Sequence, residues 1–218
     1  MGYRYVQYLL LVTVLVAGSV EAEIVSIAKA RGTIEGTQVT VEGYVTVPSG
    51  QFSASTFDQG FALQDRTAGI YVSLQDNLAL NYNHRVRVTG VVKDDTYGQL
   101  ILQPSTTDDV KILQGASRVP ARQVATGDVG EATEGLLVQV TGTIVRGPTD
   151  DLPYGFSIFV DDGSGETQIF IPASTGVNPF KIGYIRPGAR IRVIGLSSQF
   201  ETKLEVLPRK GGDIRRAK

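Results

Sequence analysis

The chain has 218 residues, of which 42% are hydrophobic and 20% charged, so it can form one or two domains with cores of their own. It contains no cysteine, which excludes disulfides, thiolate metal sites and cysteine nucleophiles. The formal net charge of −1 hides an asymmetry: residues 181–218 carry ten Lys or Arg against three Asp or Glu, whereas residues 23–180 carry ten against eighteen. Such a basic end either contacts a polyanion or serves as a solubilising segment that pairs with the acidic part.

The N-terminus has the pattern of a secretory signal peptide. Arg4 precedes the apolar run Leu9–Ala17, and the small residues Val20 and Ala22 stand at the −3 and −1 positions of a cleavage site before Glu23. The apolar run is shorter than the roughly 20 residues of a membrane-spanning helix, although an uncleaved anchor is the alternative. We therefore expect an exported protein, periplasmic or extracellular, whose mature chain does not insert into a membrane.

The mature chain repeats one strand pattern twice in the same order. Each segment alternates apolar and polar residues with a period of two, which is typical of strands with one buried face. The paired segments are 39–45 with 138–144, 61–64 with 156–159, 69–72 with 168–171, 84–90 with 189–195, and 100–102 with 204–206.

Five strands per copy, separated by turn residues, predict an all-β protein of two tandem five-stranded Greek-key barrels of the OB type. Gly43 and Gly142, at equivalent places in the first strand of each copy, suit the sharp bend of a barrel strand. The predicted organisation is a signal peptide at 1–22, a first barrel at 23–113, a linker at 114–134 and a second barrel with a basic C-terminal end at 135–218.

The sequence resembles a family of bacterial extracytoplasmic tandem OB-fold modules found beside secreted nucleases and phosphoesterases. The first copy carries Phe61–Asp65 (FALQD) and Gly69–Val72 (GIYV). The second carries Glu134–Val138 (EGLLV), Phe159–Gly165 (FVDDGSG) and Leu207–Arg209 (LPR). The resemblance implies the fold for nearly all of the mature chain, but its motifs are structural, and we expect no nuclease domain beside the barrels.

The residues favour a binding protein over an enzyme. His84 is the single histidine, and no Ser or carboxylate pattern surrounds it that would form a catalytic triad. The paired aspartates lie in predicted turns, where Asp side chains bond nearby backbone amides. The stretch Asp161–Gly165 lacks the alternating acidic spacing and closing Glu of a calcium loop, so a plain hairpin turn is predicted there. We expect no cofactor and no metal.

Outward-facing aromatic residues are the candidates for ligand binding. By alternation, Tyr71 and Phe170 point outward at equivalent positions, and Phe159 neighbours Phe170 across a hairpin. Tyr97 and Phe200 occupy the tips of the loops that connect the fourth and fifth strands. Aromatic rings on this face are how OB folds stack nucleic-acid bases. The alternative is that these rings pack against the linker or the other barrel.

Basic residues complete the candidate site. Arg190 and Arg192 point outward in the second copy and, with Lys203, could contact phosphates. The equivalent pair in the first copy, Arg85 and Arg87, could instead pair with Glu42. The leading hypothesis is a non-catalytic protein that binds single-stranded DNA or RNA. The alternatives are a protein-interaction or scaffolding module with an envelope protein as its partner, and an oligosaccharide binder.

Overall fold

A computed structural model describes residues 23–218. The predicted signal peptide, 1–22, lies outside the described residues. Within residues 23–218, no helix is long and apolar enough to cross a membrane.

The first half of the chain forms a closed barrel. The sheet order is β1-β2-β3-β4-β6-β5-β7, and β2 also pairs with β5, which closes five of the strands into a ring. The elements are β1 (Ile24–Val25), α1 (Ile27–Arg31), β2 (Gln38–Val47), α2 (Ser53–Thr56), β3 (Phe61–Gln64), β4 (Gly69–Val72), β5 (His84–Asp94), β6 (Leu100–Gln103), a 3₁₀ turn (Thr107–Asp109) and β7 (Val110–Ala116).

The second half repeats this topology strand for strand. Its order is β8-β9-β10-β11-β13-β12-β14, and the additional pairing of β12 with β9 closes the second barrel. The strands are β8 (Arg122–Gln123), β9 (Leu137–Asp151), β10 (Gly155–Asp161), β11 (Glu166–Pro172), β12 (Arg190–Phe200), β13 (Lys203–Pro208) and β14 (Ile214–Arg216). The 3₁₀ turns are Thr126–Asp128, Glu131–Thr133, Ala173–Thr175, Pro179–Lys181 and Gly211–Asp213. The predicted all-β fold of two OB-type barrels is confirmed.

Each barrel is held together by its own core of β-branched, leucine and phenylalanine side chains. Alternate residues of β5 and of β12 point inward and are buried, as the period of two predicts. Gly43 and Gly142 lie where the first barrel strand meets its hairpin neighbour. A Cβ on Gly43 would come 2.7 Å from the backbone oxygen of Gln64, and one on Gly142 would come 2.9 Å from the backbone of Asp161. Only glycine permits this close approach of strands.

The predicted linker, 114–134, is more ordered than the sequence indicates. Its first residues form the end of β7. Further along, β8 pairs in parallel with β9, as β1 pairs with β2 in the first barrel. Val124 and Val129 pack against the core of the second barrel. Short strands and single turns have no detectable periodicity, so the sequence does not reveal these contacts with the second barrel.

The two barrels pack against each other through a third apolar cluster. Its members come from both halves of the chain and none exceeds 8% exposure: Val47, Phe52, Ala62, Tyr71, Ile101, Phe170, Leu196 and Leu207. Arg209, from the C-terminal segment, donates a hydrogen bond of 2.9 Å to the carbonyl oxygen of Thr46 in the first barrel. Glu134 accepts one of 2.9 Å from Arg31. The interface between the barrels therefore has a buried apolar centre and hydrogen bonds at its edges.

Candidate nucleic-acid interface

Tyr71 and Phe170 lie in the interface between the barrels. Both point away from their own barrel core, as predicted, but they are only 3% and 8% exposed because the other barrel covers them. The Tyr71 hydroxyl donates a 2.8 Å hydrogen bond to Oδ1 of Asp58. Burial and the neighbouring Asp58 carboxylate raise the pKa of Tyr71 well above its ordinary value. In this arrangement neither ring offers a face on which a base could stack. Both residues instead pack against the other barrel, which is the alternative given in the sequence analysis.

Tyr97 and Phe200 meet at the tips of equivalent loops. Their rings stack with centroids 5.0 Å apart and planes at 22°, so one ring from each barrel forms an aromatic pair. They remain 42% and 37% exposed. Nζ of Lys203 lies 5.6 Å from the centroid of Phe200. These three predicted site residues are thus brought together on the surface, on the rim of a groove between the barrels.

Phe159 is separate from this rim and is partly covered. The guanidinium carbon of Arg146 lies 3.7 Å from the centroid of the Phe159 ring, and Arg146 is itself hydrogen-bonded to Glu166. Phe159 pairs with Gln168 across the hairpin. The predicted neighbour Phe170 lies in the next outward row, paired with Ser157, and not directly opposite.

Arg190 and Arg192 lie side by side on an exposed face of the second barrel. Arg192 pairs in register with Thr141 on β9 and with Arg215 on β14, and Arg190 pairs with Thr143. All three arginines are exposed, and within residues 23–218 none forms an ion pair. We call this surface, formed by Arg190, Arg192, Arg215, Thr141 and Thr143, the arginine face.

In the first barrel a carboxylate pairs with the arginines at the same position. Arg85 and Arg87 both bind Glu42, with nitrogen–oxygen distances of 2.7 and 2.8 Å. Although burial favours the neutral acid, hydrogen bonds from Arg87 and Arg85 lower the pKa of Glu42 below its ordinary value. Thr141 occupies in the second barrel the place that Glu42 has in the first. The one carboxylate therefore offsets part of the positive charge in the first barrel, whereas within residues 23–218 no carboxylate pairs with the equivalent arginines of the second barrel.

A shallow pocket of about 540 Å³ opens beside Arg190. Gln123, Thr141 and Ser164 contribute polar groups to its lining. Asp162 also lines it, and the Ser164 hydroxyl holds the pKa of Asp162 at about 2, so this carboxylate is ionised at neutral pH. Asp162 already binds Oγ1 of Thr126 at 2.9 Å and the Ser164 backbone amide at 3.0 Å.

The acidic side chains of the turn Asp161–Gly165 accept hydrogen bonds from backbone amides of the turn, as the sequence predicts, and Asp162 also binds Thr126. Oδ1 of Asp161 accepts the backbone N–H of Gly163 at 2.7 Å. In the described part of the chain, no three His, Cys, Asp or Glu side chains are grouped so that they could hold a metal ion.

The basic C-terminal end divides between two surfaces. Arg209 binds Asp213 at 2.8 Å and lies 5.0 Å from the ring of Tyr82 in the first barrel, with Lys210 over the same ring at 4.6 Å. Arg215 instead joins the arginine face. The sequence predicts that this basic end could attract phosphates, but it does not predict that Arg215 lies opposite Arg192, because β14 has three residues, too few for alternation to be recognised.

The comparisons find no matching family model and no matching curated protein. Among solved structures, a murine DNA-binding protein bound to double-stranded DNA is 12% identical, with a TM-score of 0.42 over 82% of this chain and 96% of that one. A replication protein A heterotrimer bound to single-stranded DNA is 11% identical, with a TM-score of 0.30 over 91% and 70%. The single-stranded DNA-binding protein of Thermus aquaticus, as a deletion mutant, is 12% identical, with a TM-score of 0.26 over 84% and 96%.

Proposed function

We propose that this protein binds single-stranded nucleic acid, DNA or RNA, through the arginine face of its second barrel. The observation that carries the proposal is the register of Arg192 directly opposite Arg215, with Arg190 beside them and no carboxylate paired to any of the three in residues 23–218. Like charges opposite each other across strands destabilise a sheet. A polyanion removes that cost, because guanidinium groups bind phosphate oxygens bidentately.

The pocket beside Arg190 favours a single strand over a duplex. Its volume of about 540 Å³ accommodates an unstacked base, and the side chains of Gln123 and Thr141 supply hydrogen-bonding groups for a base edge. A base held within a duplex could not enter it. Phosphates on the arginine face and a base in the pocket would engage one strand together.

The proposed role is binding without catalysis. The His84 ring accepts a weak 3.4 Å hydrogen bond from the backbone N–H of Asn81, and no carboxylate of the described chain bonds to that ring. Export, the extracytoplasmic setting and an envelope partner stay predictions from the sequence.

The triple variant Arg190→Gln, Arg192→Gln, Arg215→Gln is expected to weaken binding of a labelled oligothymidine most strongly at low salt. Each phosphate contact contributes about 0.7 to the slope of log K against log salt for a single strand, so losing three should flatten the slope by about 2. Fluorescence anisotropy across a salt series measures both effects. A matched control removes three exposed cations elsewhere, with Arg66→Gln, Lys111→Gln and Arg118→Gln.

The control variant has the same net charge as the triple variant, so a loss confined to the triple variant locates the contact. Equal losses of affinity in both variants would mean that binding depends only on the net charge of the protein, and would contradict the proposal. If the wild type binds neither oligothymidine nor a matched RNA at low salt, the scaffolding hypothesis takes precedence.

A further inference from the structure

The groove between the barrels has the character of a second ligand site. It encloses about 590 Å³ and is lined by residues of both barrels. Its polar lining includes Gln99, Gln103, Gln168, Ser198 and Glu205. We call it the inter-barrel groove. It lies on the outward side of β11 and β13, whereas the arginine face is formed by β9, β12 and β14.

Glu205 is a buried carboxyl without a partner. Its residue is 6% exposed, and within residues 23–218 its side chain makes no hydrogen bond and no ion pair. Its neighbours across the strands, Gln168 and Ser198, bond elsewhere: the Gln168 amide donates to Ser157 at 2.9 Å, and the Ser198 hydroxyl donates to Gln99. In residues 23–218 the fully enclosed side-chain oxygens without a partner are those of Thr46, Ser49 and Glu134, so the Glu205 carboxyl reaches the open space of the groove. A ligand that enters the groove can therefore supply the hydrogen bond that the protein does not.

The charges around the groove disfavour a phosphate-bearing ligand. Lys93 and Lys203 face Asp58, Asp95 and Asp151 in its lining, so carboxylates outnumber cations even before Glu205 is counted. The carboxylate of Asp58 is already bound, by the hydroxyls of Tyr71 and Ser73 at 2.8 and 2.6 Å. Uncharged hydrogen-bonding groups make up the rest of the polar lining.

Two aromatic pairs border the groove, and each pair takes one ring from each barrel. Tyr97 stacks on Phe200, and Phe57 contacts Tyr154 edge to face with centroids 5.7 Å apart. Partly exposed aromatic rings combined with a few convergent polar groups are typical of sites for ligands that present both apolar and hydrogen-bonding surfaces.

We propose that the inter-barrel groove binds an uncharged polyhydroxylated ligand, a short oligosaccharide, with Glu205 as its central hydrogen-bonding group. Sugar hydroxyls donate to and accept from the carboxyl and carboxamide groups, while the C–H faces of the sugar rings pack on the aromatic borders. The site is separate from the arginine face, and its occupation does not depend on nucleic-acid binding.

The test applies the full mature chain to an array of glucose, N-acetylglucosamine, mannose and galactose oligomers, followed by calorimetry with the glycan that is retained. Glu205→Leu should weaken that binding by about tenfold or more, because the ligand loses its central bond. Glu205→Gln keeps a donor and an acceptor and should stay within about threefold of the wild type. Neither variant removes a hydrogen bond from the folded protein, so both should melt no lower than the wild type.

The arginine-face triple variant is the control for independence and should bind the glycan as the wild type does. Failure of the wild type to bind any of these glycans overturns the groove proposal and leaves nucleic-acid binding untouched. Equal glycan binding by Glu205→Leu also overturns it, as does competition between the glycan and oligothymidine for one site.

Discussion

Phe170→Ala is expected to lower the free energy of unfolding by about 3–5 kcal/mol, the usual cost of truncating a buried phenylalanine. Phe170 is 8% exposed in the apolar cluster between the barrels, where it lies with Tyr71, Leu196 and Leu207. Removing its ring leaves a cavity that neither barrel can fill without moving relative to the other. Urea denaturation monitored by circular dichroism measures the change.

Phe200→Ala is the matched control, because Phe200 is 37% exposed and contributes mainly its stacking on Tyr97, worth about 1 kcal/mol. A Phe170→Ala variant that keeps wild-type stability but loses oligonucleotide binding would contradict the packing described here. That result would return Phe170 to the role of a base-stacking residue.

Glu205 should make the stability of the protein fall as pH rises. Burial raises the pKa of Glu205 from an ordinary value of 4.5 to about 8, with only Lys203 opposing the shift. The folded state therefore binds a proton that the unfolded state has released at intermediate pH. The contribution of this bound proton to the free energy of unfolding is fully present below about pH 4.5. It is lost as pH rises toward 8, at about 1.4 kcal/mol per pH unit.

Glu205→Gln removes this titration. The free energy of unfolding of the variant, relative to that of the wild type, should therefore rise steadily from about pH 5 and be higher by a few kcal/mol at pH 8 and above. Comparing the two proteins cancels the other carboxyl groups, since those are the same in both. Urea midpoints measured at a series of pH values give the difference curve. The control variant Glu201→Gln, at an exposed position, should show the same dependence of the urea midpoint on pH as the wild type. A flat difference curve for Glu205→Gln would mean that the carboxyl is ionised in the folded protein.

The barrels themselves could be predicted because their strands are governed by local alternation. Ile191 and Val193 are buried while Arg190 and Arg192 are exposed, as a period of two requires. The pairing of Arg85 and Arg87 with Glu42 follows from the same register, since adjacent strands bring those side chains to one face. Strand position and side-chain direction were therefore accessible from the sequence.

What covers an outward side chain could not be predicted, because alternation distinguishes only the inside of a barrel from its outside. Tyr71 and Phe170 point outward, yet the second barrel covers one and the first barrel covers the other. Glu205 looks like an ordinary exposed residue of a strand, and only the packing of the two barrels makes it buried. Both cases depend on contacts between segments far apart in the chain, which no local pattern records.

The arginine face is tested most directly by chemical footprinting of arginine side chains in the wild-type protein. Phenylglyoxal modifies accessible guanidinium groups, and mass spectrometry reads the extent of modification residue by residue with and without saturating oligothymidine. We expect the oligonucleotide to protect Arg190, Arg192 and Arg215 and to leave Arg66 and Arg118, which are exposed outside the face, as reactive as before. Protection of Arg66 or Arg118 instead, or a bound oligonucleotide that leaves Arg190, Arg192 and Arg215 fully reactive, would contradict it.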